Sequence, residues 1–156
     1  MKVMAINDKY MEVRAIENGT VIDHIPADAL FKIIRIMGLD KDSEHRMTFG
    51  ANLESKRLGS KAIIKINDRY LEGAEINKIA LVAPTAVVNT IRNFDVVEKH
   101  KVSLPDEVRG FVKCANPACI TNHQPVETGF AVMDEGGKIL LRCRYCEKIT
   151  SRFEIK

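Results

Sequence analysis

The chain has 156 residues, and its 24 Lys and Arg residues nearly balance 21 Asp and Glu, for a formal net charge of +3. This length predicts one domain or two small ones. No apolar run approaches the length that crosses a bilayer, and Met1 to Lys9 lacks the apolar core of a secretory signal, so we expect a soluble, cytoplasmic protein.

The N-terminal part begins with two β-prone runs, Tyr10 to Ile16 and Thr20 to Ile25, which Asn18-Gly19 separates. Two such runs around Asn-Gly are typical of a hairpin. A helix is predicted to begin at Pro26-Ala27-Asp28 and to stop at Gly38. Its apolar residues recur at the spacing of one helical face: Leu30, Ile33, Ile34 and Met37.

The rest of the first hundred residues predicts strands and a second helix. The predicted strands are Arg46 to Leu53, Ala62 to Ile66, Ala86 to Ile91 and Asp95 to Val97, with a polar loop over Glu54 to Lys61 and a helix from about Gly73 to Val82. Hairpin turns outnumber crossover helices in this order. The pattern therefore predicts an α+β fold, an antiparallel sheet with two helices on one face (ferredoxin-like).

A linker is predicted between Val102 and Asp106, where the chain passes through Ser-Leu-Pro. We therefore expect two domains, residues 1–102 and 103–156. The second has only short predicted strands, so we expect a small all-β domain. The strands are Phe111 to Lys113, Thr128 to Met133, Ile139 to Arg142 and Arg152 to Ile155, with a hairpin turn at Glu135-Gly136-Gly137.

Four cysteines lie in this second domain, in a C-x4-C pair and a C-x2-C pair: Cys114 and Cys119, then Cys143 and Cys146. Each short spacing brings two thiolates to one side of a turn, and two such turns form a tetrahedral set of sulfurs. Such a set suits one Zn²⁺ and leaves no coordination position for a substrate. We therefore predict a structural zinc site, which also helps a domain of about fifty residues to fold.

Other uses of four cysteines are less consistent with the sequence. Two disulfides need an oxidising compartment, and the N-terminus carries no secretory signal. A redox C-x-x-C motif does not require the second pair. Four thiolates also suit an iron–sulfur cluster, but paired short spacings in a strand-rich segment are more usual for zinc.

The zinc domain also resembles a nucleic-acid-binding ribbon, which is the main alternative function. Residues 104–156 hold eight Lys and Arg against seven Asp and Glu. Four metal-bound thiolates bring the net charge of this segment to about −1. A nucleic-acid-binding surface is normally strongly basic, so we expect no nucleic-acid partner.

Asp23 and His24 are the one pair that resembles a catalytic dyad. They follow a predicted strand, where such a pair is more often a structural turn. The sequence offers no activated nucleophile, no second acid or base in a motif and no open metal position, so we expect a non-catalytic protein. From composition alone, Lys61, Lys65 and Lys99 read as ordinary solvated lysines.

An ordered set of motifs then points to one family. These motifs are Gly19–Pro26 (GTVIDHIP), Asn52–Lys61 (NLxSKxxGxK), Ile64–Ile66 (IKI), Ala83–Ile91 (APxAxVNxI), Asn93–Lys99 (NxxVVxK), Ser103–Pro105 (SLP) and the cysteine domain that ends in CRYCEK. Together they closely resemble the regulatory chain of aspartate carbamoyltransferase, in unbroken order from about Tyr10 onward.

The resemblance implies a non-catalytic subunit of pyrimidine biosynthesis. Its N-terminal domain would bind the nucleotide effectors CTP, UTP and ATP, and its zinc domain would dock on the catalytic chain. The implied assembly contains two catalytic trimers and three regulatory dimers. We expect Asn116 and Glu147, beside the zinc ligands, to lie at the contact with the catalytic chain.

The resemblance also implies the effector-binding residues. The positions that match the base contacts are Val13, Arg14, Ala15, Ile16, Ile91 and Phe94. Asp23 and Lys65 match the ribose contacts. The triphosphate end matches His24 and Lys99, with Lys61 and Val96 nearby, and Val21 and Asn89 match further lining positions.

Two of these positions differ from the best-known members of the family. Those members have an acidic residue in place of Arg14 and a tyrosine in place of Phe94. Arg14 adds a positive charge beside the site, and Phe94 lacks a hydroxyl group that could position the base. Both changes bear on the preference among CTP, UTP and ATP.

Overall fold

A computed structural model describes residues 13–151 of the chain and the backbone of Glu154–Ile155. The chain divides into two compact units between Val102 and Ser103. Each unit has its own sheet and its own buried core.

The described part of the first unit combines one five-stranded sheet with two α-helices. Its elements are β1 (Gly19–Pro26), α1 (Leu30–Ile36), β2 (Met47–Ser55), β3 (Gly59–Asn67), α2 (Gly73–Ile79), β4 (Val87–Arg92) and β5 (Asp95–Lys101). The strand order is β2-β3-β1-β4-β5, and all neighbours are antiparallel. The first six of these elements follow the β-α-β-β-α-β order of a ferredoxin-like fold, and β5 adds a fifth strand beside β4. The predicted α+β class is therefore confirmed.

Strand alternation gives this sheet two different faces. Ile22 lies opposite Ile64 on β3 and Val88 on β4, and all three side chains are almost fully buried. Directly opposite residues share a face of a sheet. The helices α1 and α2 cover this face with their own buried residues, Leu30, Ile33, Ile36, Ile76 and Ile79.

The first helix lies where the sequence predicted, but it begins with a 3₁₀ turn. Ala27–Ala29 forms a 3₁₀ turn, α1 follows, and Gly38 has a left-handed φ of 64°. This conformation favours glycine and ends the helix where the sequence predicted. Ile34 is only half-buried, whereas Ile36 is buried within the last turn.

Two predictions in this unit were wrong in detail. Val13 to Ile16 forms no strand, so no hairpin is present at Asn18-Gly19 within the described residues, and residues 10–12 lie outside them. A Cβ at Gly19 would overlap the carbonyl oxygen of Ile66, so Gly19 allows β1 to enter the sheet. The predicted loop over Glu54 to Lys61 is a short turn, because β2 and β3 pair out to Ser55 and Gly59.

In its described residues the second unit consists of short strands and a 3₁₀ turn at Ile120–Asn122. Its strands are β6 (Glu107–Arg109), β7 (Val112–Lys113), β8 (Gly129–Glu135), β9 (Lys138–Cys143), β10 (Ile149–Thr150) and β11 (Glu154–Ile155). They form a four-stranded sheet, β10-β9-β8-β6, and a pair, β11-β7. The predicted all-β domain is confirmed, but β6 and β10 were missed; Arg152 and Phe153 of the last predicted strand lie outside the described residues.

The described residues of the second unit form a small core. Phe130, Leu141, Val108 and Val112 are its large buried side chains away from the cysteines. Thr128 is also fully buried, and its hydroxyl group donates a 2.6 Å hydrogen bond to the carbonyl oxygen of Val112. A described core of this size favours an additional source of stability for the unit.

Across the described residues, no helix is both long enough and apolar enough to span a membrane.

Candidate functional site

The face of the first sheet that lies away from the helices carries most of the predicted effector residues; we call it the open face. Val21 on β1 lies opposite Lys65 on β3 and Asn89 on β4. Asn89 in turn lies opposite Lys99, and Ile91 lies opposite Val96. Since opposite residues share a face, four strands bring these side chains to one surface.

One part of the open face is an apolar cluster. Its buried members are Ile16, Val21, Ile63 and Ile91, and the half-buried side chains of Val13 and Leu53 pack against them. Val13 and Ile16 come from the segment before β1, which lies over the sheet. The cluster can contact a flat apolar ring but offers it no side-chain hydrogen bonds.

Lys65 fastens this segment to the sheet. Its ammonium group donates hydrogen bonds to the carbonyl oxygens of Val13, at 3.0 Å, and Arg14, at 2.8 Å. The side chain is only 6% exposed. Burial lowers the pKa of Lys65, the Asp23 carboxylate partly opposes this, and the charge of Lys61 lowers the pKa further.

Asp23 and Lys61 form an ion pair beside Lys65. The Asp23 carboxylate accepts a hydrogen bond from the Lys61 ammonium group at 2.8 Å and another from the backbone N–H of His24 at 2.7 Å. Burial opposes ionisation of the carboxyl group, but these two hydrogen bonds hold the pKa of Asp23 below its usual value. The three side chains carry a net charge of +1.

The open face changes character along β1. Ile91 lies opposite Gly19 at one end, the polar residues Lys65 and Asn89 lie at the level of Val21, and Asp23 follows. Gly19 and Asp23 are about 13 Å apart along the strand at about 3.3 Å per residue. The face therefore passes from apolar to charged over the length of a small elongated ligand.

Two buried polar atoms near this surface lack hydrogen-bond partners among the described residues: Nδ1 of His24 and Oδ1 of Asn89. Buried polar atoms are almost always paired, so unpaired ones mark places where a ligand or water can bind. His24 has a left-handed φ of 55° at the irregular end of β1. Its carbonyl oxygen accepts a hydrogen bond from the Thr85 hydroxyl group, which holds this turn in place.

The remaining predicted effector residues lie at the edges of this surface. Arg14 and Ala15 are exposed on the segment that Lys65 holds. Phe94 is 47% exposed in the β4–β5 turn, and its backbone N–H donates to the carbonyl oxygen of Glu17. The turn and the N-terminal segment are thus joined beside the apolar end of the face.

Gly50 is a site residue that the sequence analysis missed. It lies opposite Ile63 on the open face, and an added Cβ would lie 2.8 Å from Cγ2 of Val13. Real Cβ atoms do not approach carbon so closely, so Gly50 leaves the space in which Val13 packs. No local signal in the sequence marks this role.

The second unit brings its four cysteines into one cluster. The sulfurs of Cys114 and Cys146 are 3.8 Å apart, those of Cys119 and Cys143 are 3.7 Å apart, and all four lie within 4.8 Å of one another. Each close pair takes one cysteine from each turn. The two turns therefore face each other as predicted.

These distances fit a tetrahedral metal ion. A zinc ion with bonds of about 2.3 Å to four sulfurs places each pair of sulfurs about 3.8 Å apart. Cys114, Cys119 and Cys143 are buried, and Cys146 is half-buried. The four cysteines would hold the ion, whose bonds would join the two turns in a closed, structural site.

The thiol groups differ in their tendency to ionise. Burial raises the pKa of Cys114 to about 12. Burial also opposes ionisation of Cys146, but hydrogen bonds from the Asn116 side chain and the backbone of Lys148 hold its pKa at about 6. A metal ion must therefore displace protons from part of the cluster when it binds.

Polar neighbours hold the cluster in shape, and Asn122 and Thr121 were missed by the sequence analysis. The Asn122 side chain donates to the carbonyl oxygens of Cys114 and Asn116, at 3.0 and 2.7 Å. The Thr121 hydroxyl group lies 3.2 Å from the sulfur of Cys119. Such outer contacts orient metal ligands.

Asn116 and Glu147 both lie on the cysteine turns. The side-chain oxygen of Asn116 accepts a hydrogen bond from the backbone of Ala118, so this residue shapes its own turn. Glu147 is exposed and has a left-handed φ of 64°, and its backbone N–H donates to the carbonyl oxygen of Cys143. Its carboxylate is the more accessible of the two predicted contact groups.

Comparison with known families decides the class of the protein. The family model for the aspartate carbamoyltransferase regulatory chain, allosteric domain, matches residues 11–103, and the model for the metal binding domain of the same chain matches residues 106–156. The chain belongs to the aspartate carbamoyltransferase regulatory chain family. The resemblance seen in the sequence is thereby confirmed.

Full-length relatives agree with this assignment. The chain is similar to the aspartate carbamoyltransferase regulatory chains of Phocaeicola vulgatus, with 50% identity over 98% of this chain and 97% of the relative, and of Pyrococcus horikoshii, with 49% identity over 93% and 95%. The regulatory chain of Thermococcus gammatolerans is 46% identical over 93% and 95%. These matches do not favour the nucleic-acid-binding alternative.

Replacement of Gly50 by valine tests the packing of the open face in this regulatory chain. The added methyl groups would displace Val13 and loosen the segment that Lys65 holds, so we expect faster backbone amide exchange over residues 13–16. The four-cysteine unit should keep its metal content. Unchanged exchange over residues 13–16 in Gly50→Val, measured by mass spectrometry, would contradict this packing role.

Acid should release the metal from the second unit. Bound thiolates carry no proton, and the raised pKa of Cys114 means that protons compete for the site, so metal affinity must fall as the pH falls. We expect full retention near about pH 8 and loss by about pH 5, measured with a coloured chelator. Retention that does not change across this range would argue against four thiolate ligands.

Proposed function

We propose that this chain is the non-catalytic, nucleotide-sensing subunit of a cytoplasmic aspartate carbamoyltransferase in pyrimidine biosynthesis. Residues 1–102 bind the effectors CTP, UTP and ATP, and residues 103–156 dock on the catalytic chain. The observation that carries the effector assignment is the graded open face, apolar beside Ile91 and charged beside Asp23 and Lys61.

The chemistry of a nucleoside triphosphate matches this gradient. Its base is a flat ring that can pack on Ile16 and Ile91 beside Phe94. The polar edge of the base would then face the backbone of Arg14 and Ala15. A ribose has hydroxyl groups that can donate to a carboxylate such as Asp23. The triphosphate carries about four negative charges, which favour the lysine-rich end of the face and make binding weaker at high salt.

The metal of the second unit is zinc in this proposal, and its role is structural. Four sulfur ligands in a closed site are typical of structural zinc, and metal binding supplies folding free energy to a unit with a small core. Asn116 and Glu147 lie on the two turns that the zinc ion joins. The metal would therefore order the surface that contacts the catalytic chain.

The proposed assembly contains two catalytic trimers and three dimers of this chain. Among the described strands of the first sheet, β2 and β5 lie at the two edges. β5 carries the effector positions Val96 and Lys99, so pairing along it would compete with the ligand. β2, with Phe49 exposed on it, is the edge that leaves the open face accessible in a dimer.

Regulation of catalysis follows from linkage. A nucleotide on the first unit changes the activity of the catalytic chain only if the nucleotide binds one state of the assembly more tightly than the other. A coupling free energy of about 1–3 kcal/mol corresponds to a change in affinity of roughly 5- to 150-fold. No chemical step is needed on this chain.

Calorimetric titration of CTP, UTP and ATP into the purified chain tests the proposal, followed by addition of the chain to catalytic trimers. We expect nucleotide binding that weakens with salt and no carbamoyltransferase activity from the chain alone. In the assembly, nucleotides should change the dependence of activity on aspartate. Turnover by the isolated chain, or trimers that fail to bind the metal-loaded chain, would refute the proposal.

Glu147→Gln tests the proposed contact with the catalytic chain. The exposed carboxylate would lose its charge while the turn keeps its shape, so we expect the affinity for catalytic trimers to fall about threefold or more. Glu135→Gln, at the exposed end of β8, is the matched control. Asn116→Ala should also weaken association but requires a zinc assay, because Asn116 shapes its own turn. Wild-type affinity in both variants would place the contact elsewhere.

A further inference from the structure

The Asp23–Lys61 ion pair occupies two groups that the proposed nucleotide site needs for its ligand. The Lys61 ammonium group lies 2.8 Å from the Asp23 carboxylate, and each side chain is 20% exposed. Lys65 cannot replace Lys61 as a phosphate ligand without release of two backbone carbonyl oxygens. Lys61 is therefore the cation of this group that the ligand can recruit at the lowest cost.

We propose that Asp23 keeps Lys61 in an ion pair while the site is empty and that a ligand must supply a new partner for each of the two groups. The phosphate groups would take the ammonium group of Lys61, and a ribose hydroxyl group would take its place on the Asp23 carboxylate. This inference rests on the proposed nucleotide site and adds a specificity rule to it. The site responds to ribose and phosphate together.

The rule follows from the cost of breaking the pair. A ligand that binds only the fraction of molecules with Lys61 released has an apparent affinity reduced by that fraction. An inorganic polyphosphate leaves the Asp23 carboxylate without a replacement partner, because it has no hydroxyl group to donate, so its affinity is reduced by the whole free energy of breaking the ion pair. A nucleotide offsets part of this free energy, since its ribose donates a new hydrogen bond to the carboxylate.

The hydrogen bond from the His24 N–H keeps Asp23 in position during this exchange. It lies at 2.7 Å and comes from the backbone, so it does not depend on Lys61. The carboxylate would thus face the ligand with one acceptor position already fixed. Asp23 acts here as a specificity-determining residue that discriminates against polyphosphates without a sugar.

Calorimetric titration with sodium tripolyphosphate and with CTP tests the inference in four proteins: wild type, Asp23→Asn, Lys61→Met and the double variant. We expect Asp23→Asn to bind tripolyphosphate about three- to tenfold more tightly than wild type, because Lys61 is free. Its affinity for CTP should stay the same or fall. The gain for tripolyphosphate should vanish when Lys61 is also replaced.

Controls separate ion-pair exchange from simple removal of a negative charge. Asp95→Asn removes an exposed charge from β5 of the same sheet and should leave the ratio of the two affinities unchanged. Asp23→Ser can still accept the His24 N–H and replaces Asp23→Asn if that variant unfolds.

The outcomes are distinct. A gain for tripolyphosphate that persists without Lys61, or no gain at all, would overturn the inference and leave the nucleotide site standing. CTP that does not bind wild-type protein would instead contradict the proposed function itself.

Discussion

The buried ammonium group of Lys65 is the contact on which the candidate effector site depends. It lies on β3, beside the central strand β1, and donates hydrogen bonds to the carbonyl oxygens of Val13 and Arg14. These two hydrogen bonds add to the apolar contacts that Val13 and Ile16 make with the sheet. A buried charge is costly unless it is hydrogen-bonded, so this lysine strongly favours one position of that segment.

The two units reach stability in different ways. The first buries isoleucine-rich strands beneath two helices, which leaves its second face free to bind a ligand. Among its described residues the second has few large buried side chains, and its four sulfurs lie at distances that suit one tetrahedral metal ion. Loss of the metal should therefore affect the second unit first, because only that unit depends on metal bonds.

Local patterns predicted the elements of the fold but not the closest contacts. The helical spacing from Leu30 to Met37 and the cysteine spacings depend on near neighbours, so the sequence was sufficient for α1 and for the metal cluster. Lys65, by contrast, reads as a solvated lysine, and its role appears only when a distant segment lies on β3. Gly50 was missed for the same reason, since the space that its missing side chain leaves is filled by Val13, 37 residues away in sequence.

Hydrogen–deuterium exchange of the whole chain with and without CTP tests the central claim most directly. A nucleotide on the open face should protect the segment from Val13 to His24 and the strands β3, β4 and β5, while α1 and the cysteine turns keep their exchange rates. Protection confined to the helices or to residues 103–156 would show that the open face is not the effector site.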